Sequence, residues 1–296
     1  MPVKKLPDDN GTTLTVVDLD GYYLPILYEL KDQEEEIRSL PNWKVRTDDV
    51  MICTYPKSGT HWLWEIVKML VQKKAERIQT VKETAMLEMI AQEACDKIPS
   101  PRVLNSHVYF EYLPKDFVKG KCKIVYAMRN PKDVAVSFFH HHSNIIKYDF
   151  SGKWGDYVTR FLKGNVDYGS WFEYTRKWEK VMADNPDYPI LATTFEDMKE
   201  DALREVTRIA KFLEVDCDQA FLQEVTDLCH FDKMKKEKNA LEEQVDGWKD
   251  GKPGMYRKGD VGDWKNWFTV AHSEHFNSVY REKMKGSKVQ PRFTLC

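Results

Sequence analysis

The chain has 296 residues, of which 42% are apolar and 31% charged, enough for a full hydrophobic core and a well-solvated surface. A formal net charge of −2 at pH 7 gives no electrostatic reason to expect a nucleic acid or an anionic membrane as a partner. The first residues lack an apolar signal core, no apolar run approaches the length of a membrane span, and the six cysteines lack C-x-x-C spacing, so we expect a cytoplasmic protein.

The first informative segment of the chain is a strand that turns sharply into a helix. Residues 1–20 are predicted to be irregular, and residues 20–39 to form a loop and a short acidic helix. Val50–Cys53 is an apolar run typical of a buried strand, Pro56 and Gly59 bracket a tight turn, and an amphipathic helical pattern follows. Such a turn directs unpaired backbone N–H groups and the positive end of a helix dipole to one point, which suits a phosphate.

Side chains of this turn strengthen the predicted anion site. Lys57 contributes a positive charge, and Ser58 and Thr60 contribute hydroxyl donors. In the usual nucleotide-triphosphate loop the lysine follows the second glycine, whereas Lys57 precedes Gly59 and the loop is shorter. A P-loop nucleotide kinase is therefore disfavoured, since the sequence lacks that loop and a magnesium-binding aspartate. A plain strand-to-helix turn with an incidental lysine is the remaining alternative.

Three further strands and several helices complete the pattern. The strands are predicted at Arg102–Ser106, Lys123–Met128 and Ile190–Thr194, and the helices at Val81–Ala94, Leu203–Leu213 and Phe221–Leu228. This alternation predicts a single α/β domain over residues 1–296, with a central parallel β-sheet flanked by helices. Ligands of such sheets lie beyond the carboxyl ends of the strands. The phosphate turn, His107 and Arg129 each follow a strand, so we expect them to meet in one crevice.

Two of these residues at strand ends carry chemistry of their own. The imidazole of His107 titrates near neutral pH and could act as a base, although a histidine that follows a strand is more often structural. Arg129 is followed by Asn130-Pro131, which favours the start of a helix, and Ser137 lies just over two turns farther along nearly the same face. A guanidinium and a hydroxyl on one face suit a phosphate.

The segment from about residue 237 to 264 is polar and rich in glycine. Long connections of this kind are often functional lids, and this one carries an Arg-Lys-Gly sequence at residues 257–259 that could bind an anion. A solvated basic turn is the alternative. No metal is expected, because the three consecutive histidines at residues 140–142 point about 100° apart on a helix and cannot close on one ion. One of them is predicted to line the ligand pocket.

Three motifs carry a family resemblance. The sequence Tyr-Pro-Lys-Ser-Gly-Thr-His-Trp at residues 55–62 resembles the 5′-phosphosulfate-binding loop of the cytosolic sulfotransferases, which use 3′-phosphoadenosine 5′-phosphosulfate (PAPS). Residues 129–137 resemble the family's 3′-phosphate segment, and residues 257–265 resemble its second signature. The resemblance runs from about residue 20 to 293. It implies a P-loop-like phosphosulfate-binding turn and a PAPS-dependent enzyme that needs no metal.

The resemblance also implies roles for individual residues. Lys57 would act on the departing phosphate oxygen, and His107 would remove the proton of the acceptor. Trp62 and Phe231 would stack on the adenine, and Phe195 stands where the family commonly has tyrosine. The predicted cofactor-binding residues are Lys57, Ser58, Gly59, Thr60, His61, Trp62, Arg129, Ser137, Phe195, Cys229, Phe231, Met234, Met255, Tyr256, Arg257, Lys258 and Gly259.

Asn105 departs from the family pattern. The family usually has a lysine two residues before its catalytic histidine, near the transferred sulfonate, and asparagine brings no charge. If such a lysine stabilises the sulfonate, Asn105→Lys is expected to raise the turnover number several-fold. The same departure favours a rival hypothesis, a module that binds 3′,5′-ADP without catalysis.

The predicted acceptor pocket is apolar and aromatic, which favours a phenol or a steroid-like alcohol over a sugar. An amine or a primary alcohol is the alternative acceptor. The predicted substrate-binding residues are Tyr22, Asn105, His107, Phe110, Phe139, His142 and Phe150, within a patch that also includes Tyr23, Met86, Leu87, Tyr109 and Met255.

The segment Lys265-x-x-x-Thr269-Val270-x-x-x-Glu274 matches the family's short dimerisation segment. The match implies a homodimer with Val270 at the centre of a small interface. Lys265 and Glu274 are expected to pair across it.

Overall fold

A three-stranded antiparallel sheet opens the chain in the computed structural model, which describes residues 2–27, 32–120, 122–242, 247–249 and 254–295. Its strands, in spatial order, are β1 (Val3–Pro7), β2 (Thr13–Leu19) and β3 (Tyr22–Leu24). The prediction of an irregular segment over residues 1–20 is therefore wrong.

The turn between β1 and β2 explains why this segment folds. Asp8 Oδ1 accepts hydrogen bonds from the backbone N–H groups of Asn10 and Thr12, at 3.0 and 2.8 Å. Gly11 has a φ of +81°, which favours glycine. A short turn capped by a side chain and followed by the Thr- and Val-rich β2 is typical of a β-hairpin. The many charged residues of this segment made the pattern difficult to recognise in the sequence.

Within the described residues, four parallel strands form the central sheet. They are β4 (Val50–Thr54), β5 (Val103–Ser106), β6 (Lys123–Met128) and β7 (Ile190–Thr194), in the spatial order β5-β4-β6-β7. The register pairs Val50 with Val103 on one side of β4 and with Lys123 on the other. The parallel α/β architecture predicted from the sequence is confirmed.

Helices cover both faces of this sheet. They are α1 (Gln33–Ser39), α2 (Thr60–Gln72), α3 (Gln92–Asp96), α4 (Lys115–Gly120), α5 (Pro131–Asn144), α6 (Trp154–Lys163), α7 (Trp171–Asp184), α8 (Phe195–Glu200), α9 (Ala202–Leu213), α10 (Gln219–Leu228), α11 (Phe231–Glu242) and α12 (Val270–Lys283). None of the helices in the described ranges is long and apolar enough to cross a membrane.

Alternate residues of the strands enter two hydrophobic clusters. Met51 and Cys53 belong to one cluster, and Val50 and Ile52 belong to the other, because successive side chains of a strand point to opposite faces. Helices α2, α9 and α10 pack on the second cluster, and the aromatic helices α6 and α7 pack on the first. Both faces of the sheet are thus buried, as expected for parallel strands.

The predicted helix at Val81–Ala94 is wrong. Two short 3₁₀ turns, Lys82–Ala85 and Leu87–Met89, and the five-residue α3 occupy this region. Asn105 Nδ2 donates to the carbonyl oxygens of Lys82 and Ala85, at 2.8 and 3.1 Å, and Met86 forms a parallel bridge with Asn105. Backbone groups that would continue a helix are therefore used by β5, so tertiary pairing overrides the helical periodicity.

Candidate active site

The carboxyl ends of the central strands meet at one cavity of about 990 Å³. The turn at residues 55–59 follows β4, His107 follows β5, Arg129 follows β6 and Phe195 follows β7. Lys57, His107, Arg129 and Phe195 all line this cavity. The expected convergence of the phosphate turn, His107 and Arg129 is therefore present.

The turn after β4 has a strained backbone of the kind found at ligand sites. Lys57 has a φ of +66°, which is uncommon for a residue with a side chain, and Gly59 has a φ of +94° as the N-cap of α2. A Cβ at residue 59 would lie 2.8 Å from Phe195 Cδ2, so a side chain there would disturb the packing. Thr54 Oγ1 and Thr60 Oγ1 are 2.6 Å apart and join the end of β4 to the first turn of α2. The turn thereby holds the N-terminus of α2 toward the cavity.

Ser58 is the one predicted cofactor-binding residue that does not line the cavity. Its side chain is buried, and Oγ has no hydrogen-bond partner among the described residues. Its backbone N–H donates to Tyr55 O at 3.3 Å, within the turn itself.

A second segment approaches the turn from the C-terminal part of the chain. Lys57 Nζ lies 3.3 Å from Met255 Sδ, and Arg129 donates from Nη1 to Lys57 O and from Nη2 to Asp260 O, at 3.2 and 2.8 Å. The guanidinium of Arg129 also lies over the Phe195 ring, 4.2 Å from its centroid. Arg129 therefore links the phosphate turn to the segment that carries Arg257.

Two arginines retain donors for an anion. Arg257 Nη2 pairs with Asp263 Oδ2 at 2.5 Å, but the buried Nε atoms of Arg257 and Arg129 have no hydrogen-bond partner among the described residues. Burial opposes ionisation of Asp263, yet hydrogen bonds from Lys258, Asn266 and Arg257 lower its pKa to about 2. The two orphaned Nε donors, together with Ser137 on the cavity wall, fit the phosphate groups of a nucleotide.

Aromatic rings surround the same part of the cavity. The Trp62 and Phe195 rings meet edge to face with centroids 5.6 Å apart, and Phe231 and Tyr256 are 6.5 Å apart. A Cβ at Gly259 would lie 2.2 Å from Phe231 Cδ2, so only glycine permits this close approach. The other predicted cofactor residues of this region, Thr60, His61, Cys229, Met234 and Lys258, also line the cavity.

His107 is held in one orientation. Its Nδ1 lies 2.8 Å from Thr54 O, and since a carbonyl can only accept, Nδ1 carries the proton and Nε2 carries the lone pair. The backbone N–H of His107 donates to Glu88 Oε1 at 2.7 Å. Burial and, next, the positive charge of Lys82 hold the pKa of His107 well below its usual range. The imidazole is therefore neutral at pH 7 and able to accept a proton.

Most of the predicted acceptor residues do not reach the cavity. Tyr22 stacks between Tyr109 and Tyr112, with centroids 4.6 and 5.4 Å away. Asn105 is fully buried beneath the turn that it anchors. Phe110 packs on Trp178, and Phe139 and Phe150 pack on Tyr157. Because these aromatic rings pack in the core and Asn105 lies beneath its turn, Tyr22, Asn105, Phe110, Phe139 and Phe150 do not line the cavity.

The predicted substrate-binding histidine, His142, does not line the cavity. His142 is fully buried, with Nε2 2.6 Å from Asp167 Oδ1 and Nδ1 2.8 Å from the Tyr157 hydroxyl. His141 lines the cavity instead, and His140 packs against Trp267. On α5 a shift of one residue rotates the side chain by about 100°, so the helical rotation decides which histidine faces the cavity.

Much of the remaining lining of the cavity comes from residues to which the sequence analysis gave no individual site role. They lie mainly in the two 3₁₀ turns before β5, in the connection after α5 and beside Gly169. They include Pro25, Lys82, Glu83, Met89, Ile90, His141, Ile145, Tyr148, Tyr168 and Trp248, together with the predicted Met86 and Met255.

The glycine-rich segment differs in extent from the prediction. Residues 237–242 belong to α11, and residues 243–246 and 250–253 lie outside the described residues. Gly247 O accepts from Ile146 N at 2.9 Å, Lys249 Nζ donates to Phe150 O at 2.8 Å, and Trp248 lines the cavity. The described parts of the segment thus contact the connection after α5 and border the cavity.

Comparison with known proteins identifies relatives along nearly the whole chain. Residues 47–288 match the family model described as the sulfotransferase domain. Sulfotransferase 1B1 of the dog is 38% identical over 287 residues, which cover 93% of this chain and 94% of the relative. Human sulfotransferase 1C2 is 33% identical, with 96% and 97% covered. The structure of mouse sulfotransferase SULT7A1 complexed with PAP has a TM-score of 0.75 and 30% identity, and covers 92% of this chain and 96% of that chain.

Proposed function

Because the chain belongs to the PAPS-dependent sulfotransferase family, we propose that this enzyme transfers a sulfuryl group to a hydroxyl of a small apolar acceptor, with His107 as the base. One observation supports the role of His107 above all others. Its Nδ1 is anchored on Thr54 O, at the end of the strand that leads into the phosphate turn, and its neutral Nε2 is available. Thr54 Oγ1 lies within hydrogen-bond distance of both His107 Nδ1 and Thr60 Oγ1, so the base and the phosphate turn are anchored on one residue.

Each residue then has a distinct task. PAPS supplies the sulfuryl group and leaves as 3′,5′-ADP. Lys57 and the amides at the start of α2 bind the 5′-phosphate and offset charge on the leaving oxygen. Arg129, Ser137 and Arg257 bind the 3′-phosphate, which ATP lacks. His107 Nε2 takes the acceptor's proton as the acceptor oxygen bonds to sulfur and the bond from sulfur to the 5′-phosphate oxygen breaks.

The apolar residues that line the cavity indicate the chemical class of the acceptor. Met86, Met89, Ile90, Tyr168 and Trp248 offer flat and flexible apolar contacts. A phenol or a steroid-like alcohol suits such a lining better than a sugar, which would leave many hydroxyls unpaired. An amine or a primary alcohol stays the alternative acceptor.

Incubation of the protein with PAPS and a panel of phenols, steroid alcohols, primary alcohols and amines tests this function. We expect mass spectrometry to detect a sulfonated phenol or steroid and an equal amount of 3′,5′-ADP. Replacement of PAPS by ATP should give no product, which separates the proposal from a nucleotide kinase. Tight 3′,5′-ADP binding without product from any acceptor would instead indicate a non-catalytic module.

We also propose a homodimer formed through the start of α12. Val270 is 76% exposed, a large value for an apolar residue, and Thr269 Oγ1 caps the helix by accepting from His272 N at 3.1 Å. Val270→Glu should yield monomers, because it would bury a carboxylate at a two-fold contact. Light scattering at micromolar concentration measures this.

Val3→Glu is the matched control, since Val3 is 61% exposed on β1, and the control should stay dimeric. A native protein that is already monomeric, or a dimeric Val270→Glu variant, would remove the segment from any interface.

A further inference from the structure

Lys82 is a buried cation on the wall of the cavity. Its side chain is 4% exposed, and it lines the cavity together with His107 and Lys57. Nζ lies 3.2 Å from Glu83 Oε1 and 3.2 Å from Met86 Sδ. A buried ammonium is costly unless it is paired or has a function, so this placement requires an explanation.

Glu83 holds the ammonium of Lys82 in place and leaves that ammonium able to bind another anion. Glu83 Oε1 also lies 3.2 Å from His61 Nε2, so this carboxylate is shared between two cationic or donor groups. Burial opposes its ionisation, but Lys82 and His61 together hold the pKa of Glu83 well below its usual range. Met86 Sδ and Glu83 Oε1 surround only part of the Lys82 ammonium. Because an ammonium has three donors, Lys82 can also bind another anion.

Asn105 determines where Lys82 lies. Its Nδ2 donates to Lys82 O and Ala85 O, and the backbones of Asn105 and Met86 form a bridge. Asn105 is therefore the anchor of the 3₁₀ turn that presents Lys82. A longer side chain at this fully buried position would displace both hydrogen bonds and the turn above them.

We propose that Lys82, presented by the turn that Asn105 anchors, stabilises negative charge on the transferred sulfonate beside His107. This inference rests on the proposed sulfuryl transfer. The charge that the family resemblance places at residue 105 is supplied from residue 82 of the neighbouring turn. Asn105 acts as a positioning residue.

The proposal reverses the expectation for residue 105. The sequence alone predicts that Asn105→Lys raises the turnover number several-fold. We now expect kcat to fall about tenfold or more, because the new side chain displaces the turn that carries Lys82. Single-turnover kinetics isolates the chemical step, and Asn105→Asp, with the size of asparagine but without its donors, should also be slow. A faster chemical step in Asn105→Lys would contradict the positioning role.

Three variants test Lys82 itself. Lys82→Met should lower kcat by about 10²- to 10³-fold, as the loss of a preorganised donor to developing charge does, and should leave the affinity for 3′,5′-ADP within about threefold. Lys82→Arg should recover part of the rate. Lys82→Met/Glu83→Gln removes both charges and should be as slow as Lys82→Met, which excludes an effect of an unpaired carboxylate.

Lys211→Met is the matched control. Lys211 is an exposed residue of α9 outside the cavity, and its loss changes the net charge equally. This variant should keep the native rate.

A second readout does not depend on turnover. In protein with ¹⁵N-labelled histidine, NMR titration should show a higher pKa for His107 in Lys82→Met than in the native protein, because a nearby positive charge is lost. The other groups that act on the pKa of His107 are Thr54 O and Glu83, which raise it, and His61, which lowers it, and all three residues are retained in that variant.

The outcomes separate the two proposals. If the native protein binds 3′,5′-ADP but sulfonates no acceptor, the proposed function fails, and the NMR comparison still reports whether Lys82 faces His107. If the native protein is active and Lys82→Met keeps its kcat within about threefold, the role of Lys82 is overturned.

Discussion

Replacing His107 with Ala is expected to lower kcat by about 10²- to 10⁴-fold, while the affinity for 3′,5′-ADP stays within about threefold. The imidazole is anchored through Nδ1 on Thr54 O, so its loss removes the proton acceptor without removing a group of the phosphate turn. Single-turnover kinetics should show the loss in the chemical step, and calorimetry should show the retained affinity. His275→Ala, at an exposed residue of α12, is the control and should behave as the native protein does.

The pH dependence of the chemical step provides a second measurement for His107. Burial and Lys82 lower its pKa, so the neutral, basic form is present at all pH values above that lowered pKa and is lost only as the pH falls through it. The rate of the native enzyme should therefore stay on its plateau below the ordinary histidine pKa of 6.5. A rate that already declines above that value, or an active His107→Ala variant, would contradict the role of His107 as the base.

The placement of the phosphate turn, His107 and Arg129 at one cavity could be predicted from the sequence because the signals are local. A strand, a Pro- and Gly-bracketed turn and a helix follow one another within about two dozen residues, and their order alone places Lys57 and the start of α2. His107 and Arg129 each stand directly after a strand, so the parallel sheet brings them to the same edge. Among the predicted cofactor residues, only Ser58 fails to line the cavity.

The lining of the rest of the cavity, where we propose that the acceptor binds, could not be predicted in this way. This lining depends on which side of a short turn or helix faces the cavity, and a rotation of one residue exchanged His142 for His141. Tyr22, Phe110 and Phe150 have the composition of an apolar pocket, but aromatic residues are equally suited to a core, and here they pack on one another. Residue type alone does not distinguish these two environments.

Lys82 shows a further limit of sequence reasoning. The helical periodicity of residues 81–94 suggested a continuous helix, on which Lys82 would be an ordinary surface lysine. Hydrogen bonds from Asn105, about twenty residues later, break that helix into 3₁₀ turns and bury Lys82 in the cavity wall. A long-range polar contact of this kind leaves no trace in a local pattern.

Arg257→Ala is expected to weaken the binding of 3′,5′-ADP by about 10- to 150-fold, equivalent to about 1.5–3 kcal/mol, and to leave the binding of 5′-ADP nearly unchanged. The reason is the proposed contact of its guanidinium with the 3′-phosphate, which 5′-ADP lacks. Calorimetry with both nucleotides measures the difference at one salt concentration, because charged contacts weaken as salt rises.

Arg257 is a better test of this contact than Arg129. Arg129 also donates to Lys57 O and Asp260 O, so its loss would disturb the phosphate turn and weaken both nucleotides. Arg257 contacts Asp263, which keeps Lys258 and Asn266 as partners when Arg257 is removed. Arg204→Ala, at a half-exposed arginine of α9 outside the cavity, is the matched control and should not change either affinity. Equal losses for 3′,5′-ADP and 5′-ADP would show that the 3′-phosphate is bound elsewhere, because only a contact with that group can distinguish the two nucleotides.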